Sequence, residues 1–253
     1  MVALTDHDTT DGLAQALATG SVVGVEVVPG VEFSAEFEGN SVHVLCYWMD
    51  PQDAALQLEL RRLREDRFRR GELMVGKLQE LGLPVAFQRV RAIAGDATIV
   101  RPHIAQAMVE AGVVATEKEA FERYIGDGGP AHVAKHALDP VNAVALIDGA
   151  GGVCALAHPG MWGDQSAVPV ELIERMAAAG MRGLEVDHPD HTPEMRERYR
   201  TLAGELGLIA TGGSDCHGTR YDPARLGTSL CEPEAFAALR ALAPHGTPAA
   251  PAP

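Results

Sequence analysis

Short apolar runs separated by stretches of helical spacing constrain this chain more than any other feature. The runs fall at Val2 to Thr5, Val22 to Val28, Val42 to Trp48, Gly152 to Ala157, Gly183 to Val186, Leu208 to Thr211 and, more weakly, Leu226 to Leu230. Several are nearly continuous in Val, Leu, Ile and Ala, the composition of strands covered on both faces. Between them, Pro140 to Ala150, Val168 to Ala179 and Pro193 to Leu206 carry apolar residues at helical spacing, and Gly151, Gly180 and Gly207 follow as C-terminal stops. Strand, helix, strand repetition predicts an α/β fold, a parallel sheet or barrel with helices outside. At 253 residues there is room for one barrel domain or two smaller ones.

Residues 51–135 break the rhythm. A long helical pattern, Ala54 to Leu81, is followed by shorter ones near Arg101 to Ala111 and Lys118 to Tyr124, which reads as an inserted helical cap. The expected organisation is therefore a barrel domain over 1–50 and 136–242, the cap over 51–135, and a disordered Pro- and Ala-rich tail over 243–253. Val2 to Thr5 already looks like a strand, so the chain begins in the middle of an architecture.

The formal net charge of −14 argues against holding long or duplex nucleic acid by bulk electrostatics, although a local basic patch could grip a short phosphate-bearing ligand. Cys46, Cys154, Cys216 and Cys231 form no C-x-x-C pair, so neither a zinc knuckle nor a disulfide framework is indicated and a reduced cytoplasmic setting is expected. No apolar stretch has the length of a membrane span, and the N-terminus lacks the pattern of a signal peptide.

Polar residues of one kind recur where the runs end. Thr5-Asp6-His7-Asp8 places an imidazole between two carboxylates after the first run; it also reads as an Asp-rich helix N-cap. Pro29-Gly30-Val31-Glu32 puts a carboxylate among apolar neighbours, where it needs a cation, an arginine or a proton. His43 lies inside an apolar strand and reads either as a ligand or as a satisfied core histidine. His158, in Ala157-His158-Pro159-Gly160, caps a strand on the rim where α/β sites form. Gly213-Ser214-Asp215-Cys216-His217 sets Asp215 and His217 two residues apart, on one side of an extended chain, with Cys216 turned away as packing. His7, Glu32, His43, His158, Asp215 and His217 thus form a nitrogen and carboxylate set without thiolate, suited to Zn, Mn or Fe in a hydrolytic site.

Other residues concern substrate. Arg101-Pro102-His103 opens a helix whose exposed N–H groups and guanidinium favour an anion such as phosphate, although an ordinary helix start with a surface arginine fits the same residues. Lys135, His136, His188 and His191 are further candidates for the same mouth. Arg61, Arg62, Arg64, Arg67, Arg69 and Arg70 read either as a polyanion-steering surface or, preferably, as a solvated helix face paired with Glu59, Glu65, Asp66 and Glu72.

Taken in order, Leu4-Thr5-Asp6-His7-Asp8, Pro29-Gly30-Val31-Glu32, Val42-His43-Val44-Leu45, Arg101-Pro102-His103, Ala157-His158-Pro159 and Gly213-Ser214-Asp215-Cys216-His217 resemble the PHP (polymerase and histidinol phosphatase) family, in particular its stand-alone phosphoesterases acting on nucleotides and RNA ends. The resemblance runs from the start of the chain to about Leu230. It implies a distorted (βα)7-type barrel with up to three divalent metals, often manganese, iron or zinc, and hydrolysis of phosphate esters of nucleotides or short oligonucleotides. It further implies that Glu32 bridges two metals, that Asp215 joins it on one, that His43 and His158 complete the second, and that His7 and His217 hold a third. Asp215, His217 and His7 would carry the catalysis, while Arg101, His103, Lys135 and His191 would bind the substrate. Histidinol-phosphate hydrolysis, or a catalytically impaired metal- or nucleotide-binding remnant, are the alternatives.

The chain departs from the family at its start. Members begin with a further strand ending in His-x-His, followed by an aspartate, upstream of the position that matches Val2. The expectation is that Met1 is not the natural start, and that the chain as written binds fewer than three metals and hydrolyses its substrates poorly.

Overall fold

The computed structural model describes residues 1–95, 99–133, 138–161, 163, 167–218 and 225–243. They divide into two units, one comprising Met1–Leu60 and Ala137–Pro253, the other Arg61–His136.

The first unit is an α/β structure around a curled six-stranded sheet with strands in sequence order. The strands are β1 (Val2–Leu4), β2 (Val27–Phe37), β3 (Asn40–Tyr47), β4 (Val153–Leu156), β5 (Gly183–Asp187) and β6 (Ile209–Gly212). Helix α1 (Leu13–Val23) follows β1. The helical patterns between the later strands form as expected. They are α6 (Pro140–Gly149) before β4, α7 (Val170–Ala178) and α8 (Pro193–Glu205) on either side of β5, and α9 (Pro233–Leu242) after β6. The numbers α2 to α5 belong to the segment between β3 and α6, described below. Asp139 and Thr192 cap α6 and α8 through their side chains. Val31, Phe33, Val44, Leu156, Leu184 and Val186 are fully buried, and burying a side chain such as Phe33 contributes about 1.5–3 kcal/mol.

The sheet is mixed, not parallel throughout. β1 with β2, β4 with β5 and β5 with β6 are parallel, whereas β3 is antiparallel to both β2 and β4. The cause is a tight hairpin. Glu38 and Gly39, both with positive φ (49° and 83°), turn β2 directly into β3 between Phe37 and Asn40.

The expected strand over Val22 to Val28 is corrected as well. Val22 and Val23 end α1, and Gly24 closes that helix in a left-handed conformation (φ 70°), so the strand begins only at Val27. It then runs on through Pro29-Gly30-Val31-Glu32, which places Glu32 within a strand. Gly30 is required there. A β-carbon would stand 2.7 Å from the Cys46 carbonyl oxygen and 2.7 Å from Thr5 Cγ2. The weak run Leu226 to Leu230 forms a turn, with both leucines about two-thirds exposed. Beyond Ala243 the tail lies outside the described residues.

The second unit is helical. It comprises most of α2 (Ala54–Glu80), with α3 (Phe87–Ala94), α4 (Arg101–Glu110), α5 (Glu117–Ala120) and a π-helical turn, Phe121–Ile125. Met74, Leu78, Val90, Ile104, Met108 and Ile125 form its buried centre. No helix among the described residues is long and apolar enough to cross a membrane.

Candidate metal centre

Strand register explains how distant residues meet at Glu32. Alternation along β2 puts Glu32 and Ser34 on one face, and Ser34 lies opposite His43, so His43 is the diagonal neighbour of Glu32 on β3. Glu32 Oε1 stands 2.8 Å from His43 Nδ1. Beyond β1, an isolated bridge pairs His7 with Glu32, built from the Asp8 N–H donating to the Glu32 carbonyl at 2.9 Å and the Glu32 N–H donating to that of Asp6 at 3.2 Å. The Ala157 N–H donates to the His43 carbonyl at 3.0 Å. The chain leaving β4 therefore delivers His158 to the same place, its Nε2 3.3 Å from Glu32 Oε1.

Two groups of potential ligand atoms result, each within 4.8 Å of one another: His7, Glu32 and His43, and Glu32, His158 and Asp215. Glu32 belongs to both. This grouping differs from the sharing that the resemblance implies, since His43 falls with His7 and His158 falls with Asp215. His217 joins neither group. Its ring lies 5.7 Å from that of His7, is 44% exposed, and has Nδ1 2.9 Å from the Asp215 carbonyl oxygen.

Asp215 and His217 do not lie on an extended strand, contrary to the expectation from their spacing. β6 stops at Gly212, and Asp215 adopts a left-handed φ of 47°, so the two side chains belong to an irregular loop in which alternation does not apply. His158, with φ 21°, and Asp8, with φ 55°, share this uncommon region. Strained backbone of this kind persists where surrounding contacts over-determine it.

Divalent ions fit the residues present. Among the described residues, Nδ1 of His7 is buried without a hydrogen-bond partner, and Glu32 Oε1, itself a potential ligand, lies 2.8 Å from the buried Nδ1 of His43. Imidazole nitrogens and carboxylate oxygens converging in a buried site without thiolate are the donors that Zn, Mn and Fe accept.

The electrostatics follow from crowding. Burial alone would raise the Glu32 carboxyl, but the imidazoles of His7, His158 and His43 hold it well below the usual range. Burial dominates at His43 and lowers its pKa to about 4 against the pull of Glu32. At His158 burial also opposes the charge, yet Glu32, Glu185 and Asp215 outweigh it and raise the pKa to about 9. For Asp215, burial is offset by His188, His158 and His217, with a net downward shift.

Several supporting residues escaped the sequence reading or were misplaced by it. Asp8 is fully buried and its Oδ1 accepts the Ser34 N–H at 2.9 Å. Glu185, buried on β5, accepts the His158 N–H at 2.7 Å, and burial raises its pKa to about 7. The only sequence signal was a charge within an apolar run, the same signal that singled out His43. His188 is fully buried; its Nδ1 accepts the Asp190 N–H at 3.2 Å, which assigns the ring proton to Nε2, 3.9 Å from Asp215 Oδ2.

Of the expected substrate contacts, His191 is corrected. It is buried with both ring nitrogens engaged, Nε2 accepting the Gly160 N–H at 3.1 Å and Nδ1 lying 2.9 Å from the Val186 carbonyl oxygen. His103 is buried at the start of α4. Its Nδ1 accepts the Val100 N–H at 3.2 Å while its own N–H donates to the Val100 carbonyl, so the ring closes the start of α4. Arg101 does stand at that start, with Nη1 2.7 Å from Asp127 Oδ1 and its guanidinium 5.6 Å from the Phe121 ring centre. Lys135 and His136 lie outside the described residues.

The two groups of potential ligand atoms share one carboxylate, and comparison with known proteins gives the class. No family model matches the chain. It is 34% identical to a 3′,5′-nucleoside bisphosphate phosphatase of Chromobacterium violaceum over 218 residues, 86% of this chain and 76% of that protein. It is 33% identical to a 5′-3′ exoribonuclease of Haemophilus influenzae over 221 residues, 86% of this chain and 79% of that protein. A solved structure from Bifidobacterium adolescentis, assigned as a metal-dependent phosphoesterase, superposes with a TM-score of 0.86 at 33% identity, covering 96% of this chain and 86% of that one. The chain is a phosphoesterase, and it belongs to the family that contains the 3′,5′-nucleoside bisphosphate phosphatase and the 5′-3′ exoribonuclease.

Proposed function

We propose that the chain is a PHP-type enzyme that hydrolyses phosphate esters of nucleotides or short oligonucleotides, with Glu32 shared between two divalent ions. The observation that carries this reading is the membership of Glu32 in both ligand groups. His7 and His43 would hold one ion, His158 and Asp215 the other, with His217 beside the first. Manganese, iron and zinc all suit these donors.

Such ions, when bound, lower the pKa of water and neutralise charge on the phosphoryl oxygens. The residues supply placement. Glu32, held ionised by its imidazole neighbours, turns Oε1 toward both His43 and His158. Asp215 supplies the second carboxylate, with His188 Nε2 3.9 Å from its Oδ2. Arg101 is the proposed anion contact of the helical unit, and a substrate phosphate would compete with Asp127 for its guanidinium. Residues 51–135 are proposed as an inserted helical subdomain of a (βα)7-type barrel.

A product-release panel with manganese, reading inorganic phosphate from a mononucleotide and a 3′,5′-bisphosphate and mononucleotides from short RNA, tests the substrate class. Release from the bisphosphate or RNA above the mononucleotide is expected. No release from any of them rejects the reading.

A further inference from the structure

Glu185 is a buried carboxylate that belongs to neither ligand group, although its position touches both loops that carry ligands of the second. It is 5% exposed and lies opposite Thr211 in the register of β5 with β6. Oε2 accepts the backbone N–H of His158 at 2.7 Å. Oε1 faces Gly213, two residues before Asp215, so closely that a β-carbon there would stand 2.6 Å away.

Burying a carboxylate is costly, and an apolar side chain would serve the core at less expense. What the carboxylate gains is a hold on the chain where the sheet no longer provides one. β4 ends at Leu156 and β6 at Gly212, so His158 and Asp215 project from irregular backbone, both with positive φ. Such conformations must be imposed from outside. Gly213 completes the arrangement, because the missing side chain leaves the space that the second oxygen fills.

We propose that Glu185 is a positioning residue that fixes the His158 loop through a hydrogen bond and the Asp215 loop through close packing on Gly213, thereby setting the separation of these two ligands. The inference rests on the proposed reading of the metal centre. Neither oxygen needs to reach an ion for this role. The requirement is an acceptor of the right length, with a glycine beside it.

The test is manganese binding by electron paramagnetic resonance, with thermal unfolding of the metal-free forms alongside. Glu185→Ala is expected to weaken binding about 10- to 100-fold, whereas Glu185→Gln, which keeps an acceptor oxygen and the volume, stays within about threefold. Gly213→Ala weakens binding comparably, and in the Glu185→Ala background it adds little, because the group it collides with is gone. Should Glu185→Ala fail to fold, Glu185→Gln and Gly213→Ala decide the matter by the same binding measurement.

A loss in Glu185→Gln as large as that in Glu185→Ala overturns the positioning role, as does binding by Glu185→Ala or Gly213→Ala as tight as that of the parent. Losses that track metal-free stability alone overturn it too. A parent chain that takes up no manganese sinks the metal-centre reading and this inference with it. A parent that binds, with variants that bind equally well, sinks the inference alone.

Discussion

Glu32 and His43 sit eleven residues apart in sequence and 2.8 Å apart in space, brought together as diagonal neighbours across the β2–β3 hairpin. The pair owes its geometry to the turn at Glu38 and Gly39, and Glu32 is the side chain common to both ligand groups.

Glu32→Gln should cost metal in both groups at once. Uptake by elemental analysis after manganese reconstitution should drop, and phosphate release should fall by about 100-fold or more, since even groups behind a ligand cost 10- to 100-fold. Full metal content in this variant would contradict the shared role.

His158→Ala and Arg101→Ala should separate binding of metal from binding of substrate. The first should lose metal and activity together. The second should keep its metal and raise KM about 10- to 100-fold, the range for a charge-assisted hydrogen bond, with a smaller change in kcat. A His158→Ala protein with retained metal would break that assignment, and a kcat-only effect would break the other.

The charge on His158 predicts a pH dependence. Its pKa is raised to about 9 in the metal-free chain, where Glu32 outweighs burial. A histidine raised in the folded state stabilises it fully below its unfolded pKa of about 6.5 and loses that contribution as pH rises through about 9. His43, at about 4, changes at lower pH, and Glu185, raised to about 7, loses the last of its contribution at the start of the same range, in the same direction. Stability of the metal-free chain should therefore decline by roughly 2 kcal/mol between pH 7 and 9. Metal uptake, which needs the neutral imidazole, should release protons and tighten over the same range. Denaturant titrations in chelator and a dye assay of proton release measure the two; constant stability across the range would refute the charge.

Gly30→Ala should destabilise the sheet by about 1–3 kcal/mol, because the added carbon meets the Cys46 carbonyl, which the β2–β3 ladder holds in place. Calorimetry should show a melting point several degrees lower. An unchanged melting point would mean that the strands part without cost.

The sequence made the α/β rhythm legible because composition and periodicity are local signals. Val153–Leu156, Gly183–Asp187 and Ile209–Gly212 form where apolar runs lie, and the helices between them stop at glycines. The direction of β3 was not legible, since it depends on Glu38 and Gly39 adopting positive φ, and Gly24 looked like a strand residue when it is a helix cap. The six residues singled out as ligands come to one region of the first unit. Their partition does not follow from sequence, because it depends on strand register and on loops such as that of Asp215. His191 shows the opposite error. A histidine near a predicted mouth carries no mark of whether its nitrogens are already engaged by backbone.

The membership of Glu32 in both groups also bears on how the centre fills. An ion in one group would alter the charge left to the other, and linkage would make that influence equal in both directions. Occupancy would then be a cooperative property: a titration of the pair would follow a coupled isotherm, and a substitution on either side would shift the midpoint of both steps.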